Sequence, residues 1–157
     1  MKDSQEFLRE IRDRGQHRPG GRAIIFDSTR SRILIEWNHH GHDSYGNFPG
    51  GGLELGETLH ECMVRELKEE VGATVVDFEF LFLHENFILF EGEYLHGLEL
   101  YCELKLHSDD IQQQSNENEF LWLEIERLGQ VDIRPVLVKD RIADGTYRDV
   151  RYLMSKE

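Results

Sequence analysis

The run Arg65-Glu66-Leu67-Lys68-Glu69-Glu70 places three carboxylates within little more than one helical turn. A Glu-rich helix is ordinarily just a solvated face. Here the helix geometry argues otherwise. At about 100° per residue, with Leu59 at zero, Met63, Val64, Leu67 and Val71 fall between roughly 40° and 140°, which is the side to be buried. Glu66 falls near ~340° and Glu70 near ~20°, abutting that side, while Glu69 falls near ~280°. Arg65 and Lys68 point elsewhere, near ~240° and ~180°. Two carboxylates leaning toward an apolar interior are costly without a counter-charge. A bound divalent cation meets that need, and oxygen-only ligands favour Mg²⁺ or Mn²⁺.

Several elements must position these groups. Thr58-Leu59-His60-Glu61 reads as a capping box that opens the helix, and Gly72 is its natural stop. Before it, Phe48-Pro49-Gly50-Gly51-Gly52 reads as a loop rather than a regular element. Upstream, strands over 22–26 and 32–37 flank a turn at 27–31 and are expected to form a hairpin. The polar, His-rich stretch 38–47 is expected to be a loop. Downstream, 78–82 alternates as a strand, and 91–93 is a turn. Over 98–106, Leu98, Leu100, Cys102, Leu104 and Leu106 mark one face of a strand. A polar loop over 108–118, a short strand at 120–123 and a helix from Pro135 to Ala143 complete the reading. Phe7, Leu8 and Ile11 form one stripe of a short helix over about 4–14.

The spacing is specific. Gly51, five residues, Glu57, seven residues, then Arg65-Glu66-Leu67-x-Glu69-Glu70-x-Gly72 resembles the signature of the Nudix (MutT-like) hydrolase family, with Ala73 standing where a bulky aliphatic is usual. Seven fixed Gly, Glu and Arg positions, each filled by chance about once in fifteen, give roughly 1 in 10⁸ per window, which excludes coincidence. The resemblance implies an α/β Nudix fold, an αβα sandwich with a mixed β-sheet between helices. It divides the chain into an N-terminal extension over 1–21 and a Nudix hydrolase domain over 22–157.

The chemistry implied is Mg²⁺-dependent hydrolysis (Mn²⁺ being the alternative) of a phosphoanhydride in a nucleoside diphosphate linked to a moiety X. Cations on the phosphoryl oxygens supply most of the catalysis. The family pattern puts metal on the Gly51 carbonyl and on Glu66, Glu69 and Glu70. Glu69 and Glu70 then count among the catalytic residues. Glu57 and Arg65 form a supporting salt bridge. Gly50 and Gly52 let backbone approach phosphate, and Phe48 is a candidate substrate contact. Glu117 and Glu119, just before Trp122, are candidates for the general base, with Glu119 preferred. Trp37 and Phe87 could stack on a base, though both also suit the core. His39, His40 and His42 could touch phosphate, or simply face solvent.

Composition bounds the rest. The chain has 157 residues, 31 Asp plus Glu against 18 Lys plus Arg, and a net charge of −13. That argues against a nonspecific grip on nucleic acid and against anionic membranes. It leaves a small nucleotide as partner and is compatible with a homodimer. Cys62 and Cys102 form no CxxC pair. The start of the chain carries no apolar signal stretch, and no run is long enough to span a membrane, so a cytoplasmic protein is expected. Downstream markers of ADP-ribose and dinucleoside-polyphosphate substrates are missing, which leaves nucleoside triphosphates and nucleotide sugars foremost. Capped RNA 5′ ends are disfavoured by charge. The alternative is a catalytically weak nucleotide-sensing or protein-binding module, a class that usually lacks some of these glutamates.

Overall fold

The computed structural model describes residues 19–40, 43–90, 92–114 and 118–156. The expected helix over 4–14, as well as His42 and Glu117, lie outside them. The chain runs through β1 (Gly20–Ile25), β2 (Arg32–His40), β3 (Asp43–Asn47), β4 (Gly50–Gly52), helix α1 (Leu59–Val71), β5 (Val75–Phe90), β6 (Glu93–Leu106) and β7 (Glu119–Glu124). A 3₁₀ turn (Ile125–Gln130), helix α2 (Val136–Ala143) and β8 (Tyr152–Lys156) follow. Five strands form one sheet in the order β4-β1-β6-β5-β8, and three form a second in the order β3-β2-β7. The larger sheet is mixed: β1 runs parallel to β6 and β5 parallel to β8, while β4 and the β5–β6 pair are antiparallel.

Neighbouring residues of β1 serve opposite layers. Ala23 and Ile25 pack with Cys62, Met63, Leu67 and Val71 of α1, and with Cys102, Leu104 and Leu106 of β6. Ile24 packs instead with Phe82, Tyr101 and Leu153, and with Val138 and Ile142 of α2. This two-sided burial is the αβα sandwich with a mixed sheet that the resemblance implied. Helix α1 begins where expected. Thr58 Oγ1 accepts from Glu61 N at 3.2 Å, and Thr58 N donates to Glu61 Oε2 at 2.8 Å. It ends at Gly72, in the left-handed conformation at φ 64°.

The structure corrects six sequence expectations. β1 and β2 are not a hairpin. They belong to different sheets, linked by a bridge between Phe26 and Ile33 and the Asp27 N–Arg32 O hydrogen bond, because a strand buried on both faces belongs between partners. The stretch 38–47 is not a loop: β2 continues to His40 and turns back as β3. That hairpin lies on a sheet edge, where a polar sequence can still form strand. Gly50–Gly52 is strand too, paired with Gly20–Arg22. In β5 the alternation of 78–82 fails, since a bulge between Phe80 and Phe82 leaves Leu81 and Phe82 both buried. Val64 is 41% exposed, for Cys62 on the other flank is the residue that faces in. Over β6 both faces are covered, with Tyr101 as deeply buried as Cys102, whereas Leu98 is exposed. β8 was not foreseen.

The chain passes from one sheet to the other at Asp27, whose carboxylate caps the 27–32 turn. It accepts from Ser31 N at 2.9 Å, Arg32 N at 3.1 Å and Arg32 Nε at 2.9 Å. Burial alone would raise this carboxyl, but the hydrogen bonds from Arg32, Thr29 and Ser31 prevail and hold it down at about 2. A depressed pKa stabilises the fold above the ordinary carboxylate range, and that contribution fades as pH falls toward 2. Asp27→Asn should therefore lower the melting temperature by several degrees at pH 7. The gap to the wild type should close between pH 4 and pH 2; a gap that is independent of pH would show that the charge does not matter.

Candidate active site

Strand β4 lies along β1, and α1 packs beneath both. The approach at Gly51 is so close that a Cβ there would stand 2.2 Å from Glu66 Oε1. A side chain there would displace the Glu66 carboxylate, and glycine lets this contact set the helix carboxylates against β4. Arg65 ties the two together. Its Nε and Nη2 donate to Glu57 Oε1 and Oε2 at 2.7 and 3.0 Å, a bidentate fork, and Nη2 also donates to the Gly52 carbonyl at 3.2 Å. Its Nη1 donates to Glu66 Oε1 at 2.7 Å and reaches Glu69 Oε2 at 3.4 Å. The Arg65 fork holds the Glu57 carboxyl down at about 2.

Glu70 is the group under greatest electrostatic strain. Burial, then the charges of Glu36 and Glu66, push its carboxyl up to about 8, against the opposing pull of Arg22. Its Oε2 is buried and, among the described residues, has no hydrogen-bond partner. Glu36 is likewise pushed up by burial, despite Arg22 at 3.9 Å and an Asn118 Nδ2 hydrogen bond at 2.6 Å.

Glu36 escaped the sequence reading. The signal was there, since it is a lone acid two residues from Leu34 in an apolar strand. Leu34 packs with Met63 and Leu67 of α1, so the same parity turns Glu36 toward that layer. Arg22 was missed for the same reason, as a cation inside a buried strand.

The other expected site residues divide. Glu57, Arg65, Glu66 and Glu70 are gathered at the Gly51–Gly52 edge. Glu69 has a side chain 61% exposed and touches the group only through Arg65. Glu119, 58% exposed, faces His39 Nε2 at 3.5 Å. Phe48 is buried core, set edge-on to Tyr101 at 5.9 Å, and forms one wall of a cavity. Gly50 lies in β4, its Cα against the Gly21 carbonyl. Trp37 packs beside the core and Phe87 stacks on His96 at 4.4 Å. The Cys62 thiol is buried and pushed up to about 11 by burial and by Glu57 and Glu66.

The cavity beside the carboxylates measures about 320 Å³ and is lined by Arg22, Tyr45, Phe48, Glu99, Tyr101 and Arg134 among others. A larger one, about 540 Å³, lies at the Phe26 end of the sheet. Arg30 and Arg148 on its wall are both bonded to Glu103.

Among the described residues, no three carboxylate, imidazole or thiol side chains converge on one point. Arg65 draws Glu66 to itself instead. The donors nonetheless suit a hard divalent cation: they are all oxygens, they repel one another, and one buried oxygen of Glu70 is unsatisfied. Glu36, Glu66, Glu70 and the Gly51 carbonyl are the groups that could hold it.

A capped acidic helix under a glycine strand, in a mixed sheet between helices, defines a Nudix-type αβα protein. The NUDIX domain model matches residues 16–141, and the chain belongs to that family. It is 44% identical over 62 residues to an RNA pyrophosphohydrolase of Legionella pneumophila, a match spanning 39% of this chain and 33% of that one. It is 38% identical over 53 residues to an NAD-capped RNA hydrolase, NudC, of Pseudomonas aeruginosa, covering 30% of this chain and 19% of that one. The matches thus span a third or less of these curated relatives. The fold resembles that of a MutT protein from Bacillus halodurans, with a TM-score of 0.68 and 22% identity over 88% of this chain and 87% of that one. Among the described residues, no helix is long and apolar enough to cross a membrane.

The raised Glu70 carboxyl fixes a sign. Between its ordinary value of 4.5 and about 8, the metal-free native state holds a proton that the unfolded chain has lost. Stability then falls as pH rises through that window. In chelator at pH 8 to 9, Glu70→Gln should melt several degrees above the wild type. The two curves should meet near pH 4 to 5. A variant that melts lower than the wild type at pH 9 would contradict the strain assigned to Glu70.

Proposed function

We propose that this protein is a Nudix hydrolase that uses Mg²⁺ to cleave a phosphoanhydride in a nucleoside diphosphate linked to a moiety X. The observation that carries this reading is the unsatisfied, buried Glu70 oxygen amid Glu36, Glu66 and the Gly51 turn. A divalent cation held there supplies Lewis-acid stabilisation of the charge that builds on the phosphoryl oxygens. The chain's own groups do the positioning. Arg65 and Glu57 lock α1 to the glycine strand. Glu66, bonded to Arg65 in this structure, and Glu69 would help hold the cation. Glu119, on β7 next to Phe120, is the candidate to take the proton from the attacking water, and His39 Nε2 lies 3.5 Å from it. The cavity walled by Phe48 and Tyr101 is of a size to take a nucleoside.

Nucleoside triphosphates and nucleotide sugars are the foremost substrates, for a cytoplasmic enzyme. The names of the matching relatives favour a second reading, the 5′ end of an RNA. Against it stands the charge of −13, which gives a polyanion little to follow beyond its first nucleotide. A screen of nucleoside triphosphates, nucleotide sugars and a 5′-triphosphorylated oligonucleotide, with Mg²⁺ and with Mn²⁺, separates the two by phosphate and pyrophosphate release. Binding without turnover across the whole panel would instead indicate a sensing module.

Two outcomes follow for variants. Glu70→Gln should cut kcat by about 10²-fold or more and abolish the Mg²⁺-induced rise in melting temperature. Turnover that survives exhaustive chelation would remove this mechanism. Arg65→Ala should cost about 10- to 100-fold in rate with Mg²⁺ still bound. Combined with Glu57→Gln, its loss should be less than additive; simple addition would mean that the two residues do not act together.

A further inference from the structure

We propose that Arg22 grips a phosphate oxygen of the nucleotide where the carboxylate group meets the cavity, and that Glu99 and His84 are positioning residues that aim it. This deepens the hydrolase reading and rests on it. Arg22 sits on β1 opposite Gly50 on one side and Tyr101 on the other. It lines the nucleoside-sized cavity and lies 3.9 Å from Glu36. It is therefore the cationic group shared by both halves of the site.

Its aim is fixed from behind. Nε donates to Glu99 Oε1 at 3.0 Å and Nη1 to the Phe48 carbonyl at 3.3 Å. Among the described residues, no acceptor bonds to Nη2. Glu99 is held in turn by His84, whose Nδ1 stands 3.2 Å from Oε2. A carboxylate only accepts, so Nδ1 carries the proton. His84 is fully buried, and its Nε2 lies 2.8 Å from Ser155 Oγ, itself 3.2 Å from Asn86 Oδ1. The chain of contacts thus crosses β6, β5 and β8, and its far end lies beyond the residues matched to the family model.

Two considerations separate a grip from mere neutralisation. Both carboxylates near Arg22 have a second donor, Glu99 from His84 and Glu36 from Asn118, so neither depends on Arg22 alone. And in a strongly acidic chain this cavity is lined by two guanidiniums, Arg22 and Arg134, the latter bonded to Asp132, against one carboxylate, Glu99. A buried Arg–Glu–His–Ser chain is also an expensive way to fill space, because apolar side chains would pack there without desolvation cost. Its return is a guanidinium held at one angle.

The test is steady-state kinetics on the nucleotide that the wild type turns over fastest, with Mg²⁺ affinity measured separately by calorimetry. Arg22→Met should raise KM about 10- to 100-fold while Mg²⁺ still binds, and Arg22→Lys should recover only part of this. Glu99→Gln and Ser155→Ala should each raise KM about 3- to 10-fold with Mg²⁺ affinity unchanged, and should add nothing in the Arg22→Met background. An unchanged KM in Arg22→Met, or full recovery with lysine, would reduce Arg22 to a counter-charge and overturn the grip. Effects of Ser155→Ala that persist without Arg22 would overturn the positioning. If Arg22→Met fails to fold, Arg22→Lys and Ser155→Ala decide by the same KM comparison. If the wild type turns over nothing, the hydrolase reading falls by itself. The variants are then titrated with ADP, where equal binding by the wild type and Arg22→Lys overturns the grip and weaker binding supports it.

Discussion

Glu36, Glu66 and Glu70 repel one another at the point where the apolar layer under the sheet runs out. Nothing in that layer gains from them. Met63, Leu67 and Val71 bury the helix well enough, and an alanine or leucine at position 70 would bury it better. The fold tolerates the repulsion because two guanidiniums flank it. Arg65 lies on the solvent side and binds Glu66, while Arg22 lies on the cavity side and faces Glu36. Removing either cation leaves like charges facing one another in a medium that screens them poorly. The site is thus poised. It is balanced well enough to fold, and short enough of positive charge that Glu70 keeps a proton where other carboxylates have lost theirs.

That poise requires rigid mounting. Glu66 reaches its place only because α1 starts at a fixed residue and because Gly51 admits the helix. The capping box fixes the start, and is worth about 1 kcal/mol. The bidentate Arg65–Glu57 pair then fixes the turn to the helix across the short loop between them. On the other flank, Arg22 is mounted on a central strand, with β4 on one side and β6 on the other. Side chains on paired strands and capped helices hold position better than side chains on loops, and both Arg22 and the box glutamates are mounted that way.

The sequence exposed those parts of the molecule governed by local chemistry. The box spacing, the capping box, the Gly72 stop, the β7 strand and helix α2 all follow from residues near one another in the chain. Parity and partner choice do not. Whether β1 pairs with β2 or with β6 depends on which surfaces are left to bury once α1 is in place, and both strands are apolar enough for either. The β5 bulge inverts a facing that no alternation could foretell. Glu36 and Arg22 were overlooked because each looks like a polar residue at the end or start of an ordinary strand. Only the tertiary packing shows that their faces are interior, Glu36 toward α1 and Arg22 toward Phe48 and Tyr101. The extended hairpin at 38–47 was hidden by its polarity, which at a sheet edge is no bar to pairing.

Glu69 and Glu70 are adjacent in sequence and differ only in surroundings. Glu69 projects into water and shares Arg65; Glu70 feels the charge of Glu36, and its Oε2 finds no donor among the described residues. One hundred degrees of helix rotation separates a carboxylate exposed to water from one held neutral at pH 7. The same step explains why three acids in a short run are informative here when an acidic helix normally is not. Each residue's consequence depends on the strand it faces, and β2 supplies the acid that strains Glu70 while β1 supplies the base that limits the strain. A pair of strands from two different sheets therefore decides the electrostatics of one helix. The chain's passage between those sheets at Asp27 is what brings Glu36 and Arg22 to the same place.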